Sequence, residues 1–140
     1  KSRPGCLIAM VIGVVVSFIG IAVIALMAAI AIPNLLRARL MANESSAKTK
    51  IMIIANAAEA YRVKNKGNYP LSESALINSV PPYLASSYNN KFMQGYIFSE
   101  SFKADGYNIT AVPGKCGTTG TKIFKVETGA IVSYQDCKKQ

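Results

Sequence analysis

From Cys6 to Ile32 the chain runs for 27 residues without a charge, and a helical pattern carries on beyond it. At ~1.5 Å rise per residue this run would be about 40 Å long, more than the roughly 30 Å hydrocarbon core of a bilayer. It is too long for the apolar heart of a simple secretory signal. A membrane-spanning or filament-core helix is the reading; the buried helix of a soluble protein is the alternative.

Pro33 lacks a backbone N–H and is expected to kink or locally open the helix. Beyond it Leu36, Leu40, Ala47, Ile51, Ile54, Ala58 and Tyr61 keep helical spacing and make a narrow apolar face, while Arg37, Lys48, Arg62 and Lys66 cover other faces. Lys64 and Lys66 in the last turn, then Gly67, predict the helix end. Cys6 to Asn65 would then be one helix of 60 residues, about 90 Å. A helix that long cannot bury itself against some 75 further residues, so it calls for partners. Within the apolar part, Gly13, Ser17, Gly20, Ala28 and Ala31 fall along roughly one face. Small residues on one stripe let neighbouring helices approach closely. Ordinary membrane-helix composition, rich in Gly and Ala, gives the same pattern.

After Gly67 the periodicity changes. Ser72 can cap a short helix through Ile77, which Pro81-Pro82 ends. Alternating stretches then predict strands at Tyr96 to Glu100, Tyr107 to Val112, Lys122 to Glu127 and Ala130 to Tyr134. The last two are joined by Thr128-Gly129 as a tight hairpin, with Glu127 opposite Ala130. The organisation is a basic lead at 1–5, a long helix at 6–66 that is apolar over 6–32, and a β-rich domain at 67–140. The fold class is α+β, one very long helix packed on a small antiparallel sheet.

Cys116 and Cys137 fit this hairpin. They lie slightly out of register, and Gly117-Thr118-Thr119-Gly120 can supply the bend that brings them together. A closed loop of that size stabilises by roughly 3 kcal/mol. Two free thiols are the alternative. A disulfide places the domain in an oxidising compartment and sets the orientation, N-terminus in and C-terminal domain out. Charge does not set it, because Lys1 and Arg3 before the apolar run are matched by Arg37, Arg39, Lys48 and Lys50 after it. Cys6 is expected to be unpaired. A start at Lys1 rather than Met is what a processed or trimmed product would show.

Composition removes much chemistry. The chain has no His and no Trp, and its seven acids are Glu44, Glu59, Glu73, Glu100, Asp105, Glu127 and Asp136. A Ser-His-Asp or Cys-His arrangement is impossible without His. The spacing of Cys116 and Cys137 is not that of a zinc site, and Asp136 beside Lys138 and Lys139 does not make a calcium site. No phosphate-binding glycine loop occurs. We assign no catalytic, cofactor-binding or metal-ligating residue, and no enzyme activity is expected. Net charge is +9, and outside the lead 14 basic residues against 7 acidic ones still leave +7. The basic residues are scattered, so a solvated basic surface is the reading. Anionic surfaces and DNA stay open as partners.

The segment VIALMAAIAIPNLLRARLMANESSAKTK from Val23, with its core AAIAIPNLLRARL at Ala28 to Leu40, resembles the N-terminal helix of type IV pilins and of the pseudopilins of type II secretion. Gly67-Asn68-Tyr69-Pro70 matches that family's helix end, and PPYL at Pro81, GYNITAVP at Gly106 and GTTGTKIF at Gly117 resemble its globular half. The resemblance implies a pilin fold and a structural subunit that polymerises into an extracellular filament through the apolar helix. Gly13, Ser17, Gly20, Ala28, Ala31, Pro33, Leu36 and Leu40 would be the assembly residues. It implies an inner-membrane location before assembly, and as partners copies of itself, an assembly ATPase and platform proteins. Two alternatives remain: a pseudopilus subunit of type II secretion, and a single-pass membrane-anchored binding domain that never polymerises.

One departure concerns the start of the chain. Arg3-Pro4-Gly5 resembles the end of a prepilin leader, which would make Gly5 and Cys6 the candidate cleavage site. The family's glutamate would then fall on Met10, and no acid occurs before Glu44. In that family the glutamate neutralises a neighbouring subunit's N-terminal amine during assembly. Two readings stay open. Either the lead is retained with its basic end in solvent, or the subunit sits where the pairing is not needed, as at a filament tip.

Overall fold

The computed structural model describes residues 4–138, without the side chains of Pro4 and Cys6. Helix α1 covers Pro4–Lys64 and α2 covers Glu73–Ile77; five strands follow, β1 (Phe92–Met93), β2 (Tyr96–Lys103), β3 (Gly106–Pro113), β4 (Lys122–Glu127) and β5 (Ile131–Asp136). The strands form one sheet in the order β1-β2-β3-β4-β5, every neighbouring pair antiparallel. The chain is thus α+β, a long N-terminal helix and a five-stranded meander. It divides into two compact units, Lys1–Ala38 and Arg39–Gln140.

α1 begins at Pro4, two residues before the expected Cys6. Gly5 and Cys6, the candidate cleavage pair, lie within the helix. Helical conformation continues through Pro33, so the expected local opening does not interrupt it. At the other end the turn comes one residue before Gly67. Lys66 (φ 55°) and Gly67 (φ 90°) are both left-handed, and the Gly67 N–H closes the helix on the Arg62 carbonyl at 3.0 Å.

In the second unit the apolar face of α1 is buried from Ala47 onward, through Ile51, Ile54, Ala55 and Ala58, with Tyr61 partly covered. Tyr96 and Phe98 of β2, Tyr107, Ile109 and Ala111 of β3, and Phe124 and Val126 of β4 complete the core, together with Leu76 of α2 and Leu84. The stripe that reads as continuous from Leu36 to Tyr61 is therefore split. Leu36 is 60% exposed and Leu40 half-buried.

Two details of the sheet differ from the expectation. β1 is an additional strand: Met93 and Tyr96 pair across a two-residue turn at Gln94 (φ 48°) and Gly95 (φ 81°). Both central residues are left-handed, as hairpin twist demands, and Gln-Gly is a weaker signal for this than Asn-Gly. Gly95 is also fixed by space, since a Cβ there would lie 2.8 Å from Thr119 Cβ. In the last hairpin Glu127 pairs with Ile131, not Ala130. The loop holds three residues, Thr128, Gly129 (φ 84°) and Ala130 (φ 58°), and β5 reaches Asp136. One residue of register decides which face every β5 side chain takes; here Val132 packs against the core.

Cys116 and Cys137 form a disulfide with Cα atoms 5.9 Å apart. The Cys137 N–H donates to Thr121 O at 2.8 Å, prolonging the β4–β5 ladder, while Gly117 N–H donates to Gly120 O and Thr119 N–H to Lys115 O. Those turn bonds bend 116–120 back onto the ladder's end, which places the two sulfurs together.

Candidate functional site

Every large apolar side chain from Leu7 to Ile32 is exposed, among them Phe18 at 71% and Leu26 at 67%. This part of α1 is long and apolar enough to cross a membrane, and none of its most apolar window is buried. Exposure of that kind is unfavourable in water at roughly 25 cal/mol per Å² of apolar surface. The surface requires lipid or other protein around it.

Along this helix Gly13, Ser17, Gly20, Ala28 and Ala31 fall within an arc of about 80° at the helical angle per residue. A Cβ added at Gly13 or Gly20 would meet nothing within 4 Å. Neither glycine is thus required by packing within its own chain. Ser17 Oγ donates to the Gly13 carbonyl at 2.9 Å, so the hydroxyl is satisfied inside the helix and needs no partner in an apolar setting. The small-residue pattern omits Ile24, which lies on the same stripe between Gly20 and Ala28 and is 69% exposed. Pro33 and Leu36 face away from the stripe. Met10, where the resemblance would put a glutamate, is exposed.

The second unit carries a different set of polar residues. Glu59 leaves α1 toward the sheet, and Oε1 accepts from Tyr107 Oη (3.0 Å), Tyr69 Oη (3.1 Å) and the Gly129 N–H (2.9 Å). Arg62 Nη1 donates to Oε2 at 3.3 Å and also to Tyr69 Oη at 3.2 Å. Tyr107 Oη accepts in turn from the Ala130 N–H at 3.0 Å. One carboxylate thus ties α1 to β3, to the β4–β5 turn and to the loop at Tyr69. Burial pushes its carboxyl up, but the bonds from Gly129, Tyr107, Tyr69 and Arg62 together outweigh burial and hold it below the ordinary glutamate value. Glu44 does similar work one end of the sheet away, accepting from the Thr121 N–H (2.7 Å) and Oγ1 (2.6 Å), while Asn43 Nδ2 donates to Thr119 O at 3.0 Å. Tyr96 beneath them has its hydroxyl pushed up to about 12 by burial and then by the charge of Glu44.

Glu59→Ala is expected to lower unfolding free energy by roughly 1.5–3 kcal/mol, the scale of a charge-assisted bond set. A group depressed in the folded state stabilises above its unfolded value of 4.5 and loses that contribution as pH falls through its folded value. Urea titrations at pH 7 and pH 3 check both statements. The gap between wild type and Glu59→Ala must narrow in acid.

The clefts of this unit are shallow, and their linings range from polar to mainly apolar. The one over the β2–β3 hairpin, about 430 Å³, is lined by Ser99, Ser101, Asn108, Thr110 and Lys103 among others. Among the described residues no three of His, Cys, Asp and Glu come together. The features with most to say about function are therefore the exposed apolar helix and the polar ties that hold α1 to the sheet. No protein-family model, curated protein or solved structure matches this chain.

Proposed function

We propose that the chain is a structural subunit of a type IV pilus-like extracellular filament, with the pilin fold. The observation that carries this reading is the uncovered apolar surface of α1 from Leu7 to Ile32. It rests in the inner membrane before assembly, with the disulfide-bonded domain outside, and afterwards packs among copies of itself in the filament core. Removal of apolar surface from water drives cohesion there, and the Gly13-Ser17-Gly20-Ala28-Ala31 stripe sets how closely helices approach. The sheet domain forms the shell and carries no enzymatic activity. An assembly ATPase and platform proteins, outside this chain, supply the work.

The test uses the stripe. Gly13→Leu with Gly20→Leu fills open space in the single chain, so folding and membrane insertion are expected to be kept. Electron microscopy of native material should show filaments for wild type and at least a tenfold loss of them for the double variant, about 1.4 kcal/mol of lost packing per subunit contact. Filaments of unchanged number and geometry in the variant would refute the role of the stripe. Wild-type material that gives only isolated particles in bilayer or detergent would replace the filament by an anchored binding domain.

A further inference from the structure

The inner face of β2 presents Tyr96, Phe98, Glu100 and Phe102 in alternation, so a carboxyl group lies in a row of core aromatics. Both Glu100 carboxylate oxygens are buried without a hydrogen-bond donor. The charge that acts on it is that of Glu73 of α2, only 8% exposed, whose carboxylate accepts from Ser87 Oγ and from the Tyr88 N–H. Two buried carboxyls that feel each other's charge cannot both be ionised without a large cost. We propose that Glu73 and Glu100 are a proton-held latch, one shared proton fastening α2 and the stretch 83–91 to the sheet, and its loss releasing them.

The surroundings leave the proton as the fastening. Across from Glu100 in β3 stands Ile109, and its neighbours on β2 are Phe98 and Phe102. α1 brings apolar Ile51, Ile54, Ala55 and Ala58 to this core. Of its charged groups, Glu44 is bonded to Thr121, Glu59 to Arg62 and Lys50 to Gln94, Lys64 lies over the Tyr83 ring, and Arg39 and Lys48 are exposed. The stretch 83–91 brings Ser87, Tyr88 and Lys91, and Lys91 is exposed. Among the described residues neither carboxylate of the pair is in a salt bridge. What the latch holds is specific. The Tyr88 ring packs edge-on against Phe98, Leu76 of α2 and Leu84 of the stretch are buried, and the Asn90 N–H donates to Phe98 O at 2.8 Å. Opening uncovers Phe98 and the flank of β2.

Burial first, then the charge of Glu73, push the Glu100 carboxyl up to about 8. A folded value raised above the unfolded one stabilises fully below the ordinary glutamate range, and that contribution is lost as pH rises through about 8. The latch therefore opens on the alkaline side.

Hydrogen exchange on the full chain in detergent, at pH 6 and pH 9 and corrected for intrinsic rates, tests it. Residues 72–91 should exchange roughly tenfold faster at pH 9, one pH unit beyond the titration, while residues 47–61 of α1 stay protected. Glu100→Gln keeps a donor toward Glu73 with no proton to lose, and should hold 72–91 closed at both pH values. Equal protection of wild type at the two pH values, or opening of Glu100→Gln like wild type, would overturn the proposal. Should that variant not fold, carboxyl carbon shifts of wild type decide: a glutamate titrating near 8 supports the latch, and the absence of any glutamate titrating above the ordinary carboxylate range overturns it.

Discussion

Two aspartates, Phe18→Asp and Ile19→Asp, are expected to drive the apolar segment out of the bilayer. Both residues sit near the middle of the uncharged run and are widely exposed, 71% and 59%. Neither lies on the small-residue stripe. An aspartate at the centre of a spanning helix costs roughly 2.5–3.5 kcal/mol, and each apolar residue it replaces had contributed a few tenths. Two together amount to about 6 kcal/mol, near 10⁴-fold in partitioning, comparable with what the remaining apolar residues supply. The expected result is loss of the chain from the carbonate-washed membrane fraction, with the Gly13→Leu, Gly20→Leu variant retained there. Retention of the double aspartate variant would mean that this helix is not held by lipid. The contrast between the two variants separates what makes the helix enter a membrane from what lets it pack with others.

That contrast is legible in the sequence, because an uncharged run and a stripe of small residues are local patterns. So are the end of α1 near Gly67, the short helix after Ser72 (although the Ser72 hydroxyl makes no capping bond), and four of the five strands. What is not legible requires distant residues to meet. The split of the helix face between Leu40 and Ala47 depends on where the sheet reaches, and the spacing of Leu36, Leu40 and Ile51 is uniform across it. Register in the β4–β5 hairpin turns on whether Ala130 adopts φ 58°, which alanine seldom does. Glu59 gathers Tyr69, Tyr107 and Gly129 from across the domain, and no local spacing announces that meeting. Glu100 is different. In Tyr96-Ile97-Phe98-Ser99-Glu100-Ser101-Phe102 the period-two rule places it on the same face as three aromatics. A strand that ends at Glu100 leaves that carboxyl free to turn outward at the strand's edge. The same alternation carried on to Phe102 turns it inward, and the observed strand runs that far.

Phe98→Ala is expected to lower unfolding free energy by about 3–5 kcal/mol, the range for removing a fully buried aromatic and leaving a cavity. Phe98 is entirely enclosed, with the Tyr88 ring 6.3 Å away and tilted by 68° to it, and it lies where α1, the sheet and the stretch 83–91 share one core. Collapse around the hole is limited, because Asn90 N–H and Lys91 O are bonded to the backbone of Phe98 itself. A domain of this size has some 5–15 kcal/mol in total, so a third or more would go. Ile97 is the internal comparison, since its side chain points to the other face of the same strand and is 42% exposed. Ile97→Ala should cost under about 1 kcal/mol, as surface changes do. Denaturant titrations of the two variants at pH 6, below the opening of the carboxyl pair, give the comparison. Equal losses would mean that the inner face of the sheet is not the core. A large loss for Phe98→Ala alone would place the domain's stability where α1 meets the sheet, so that the helix with the exposed apolar segment is also the helix that folds the domain.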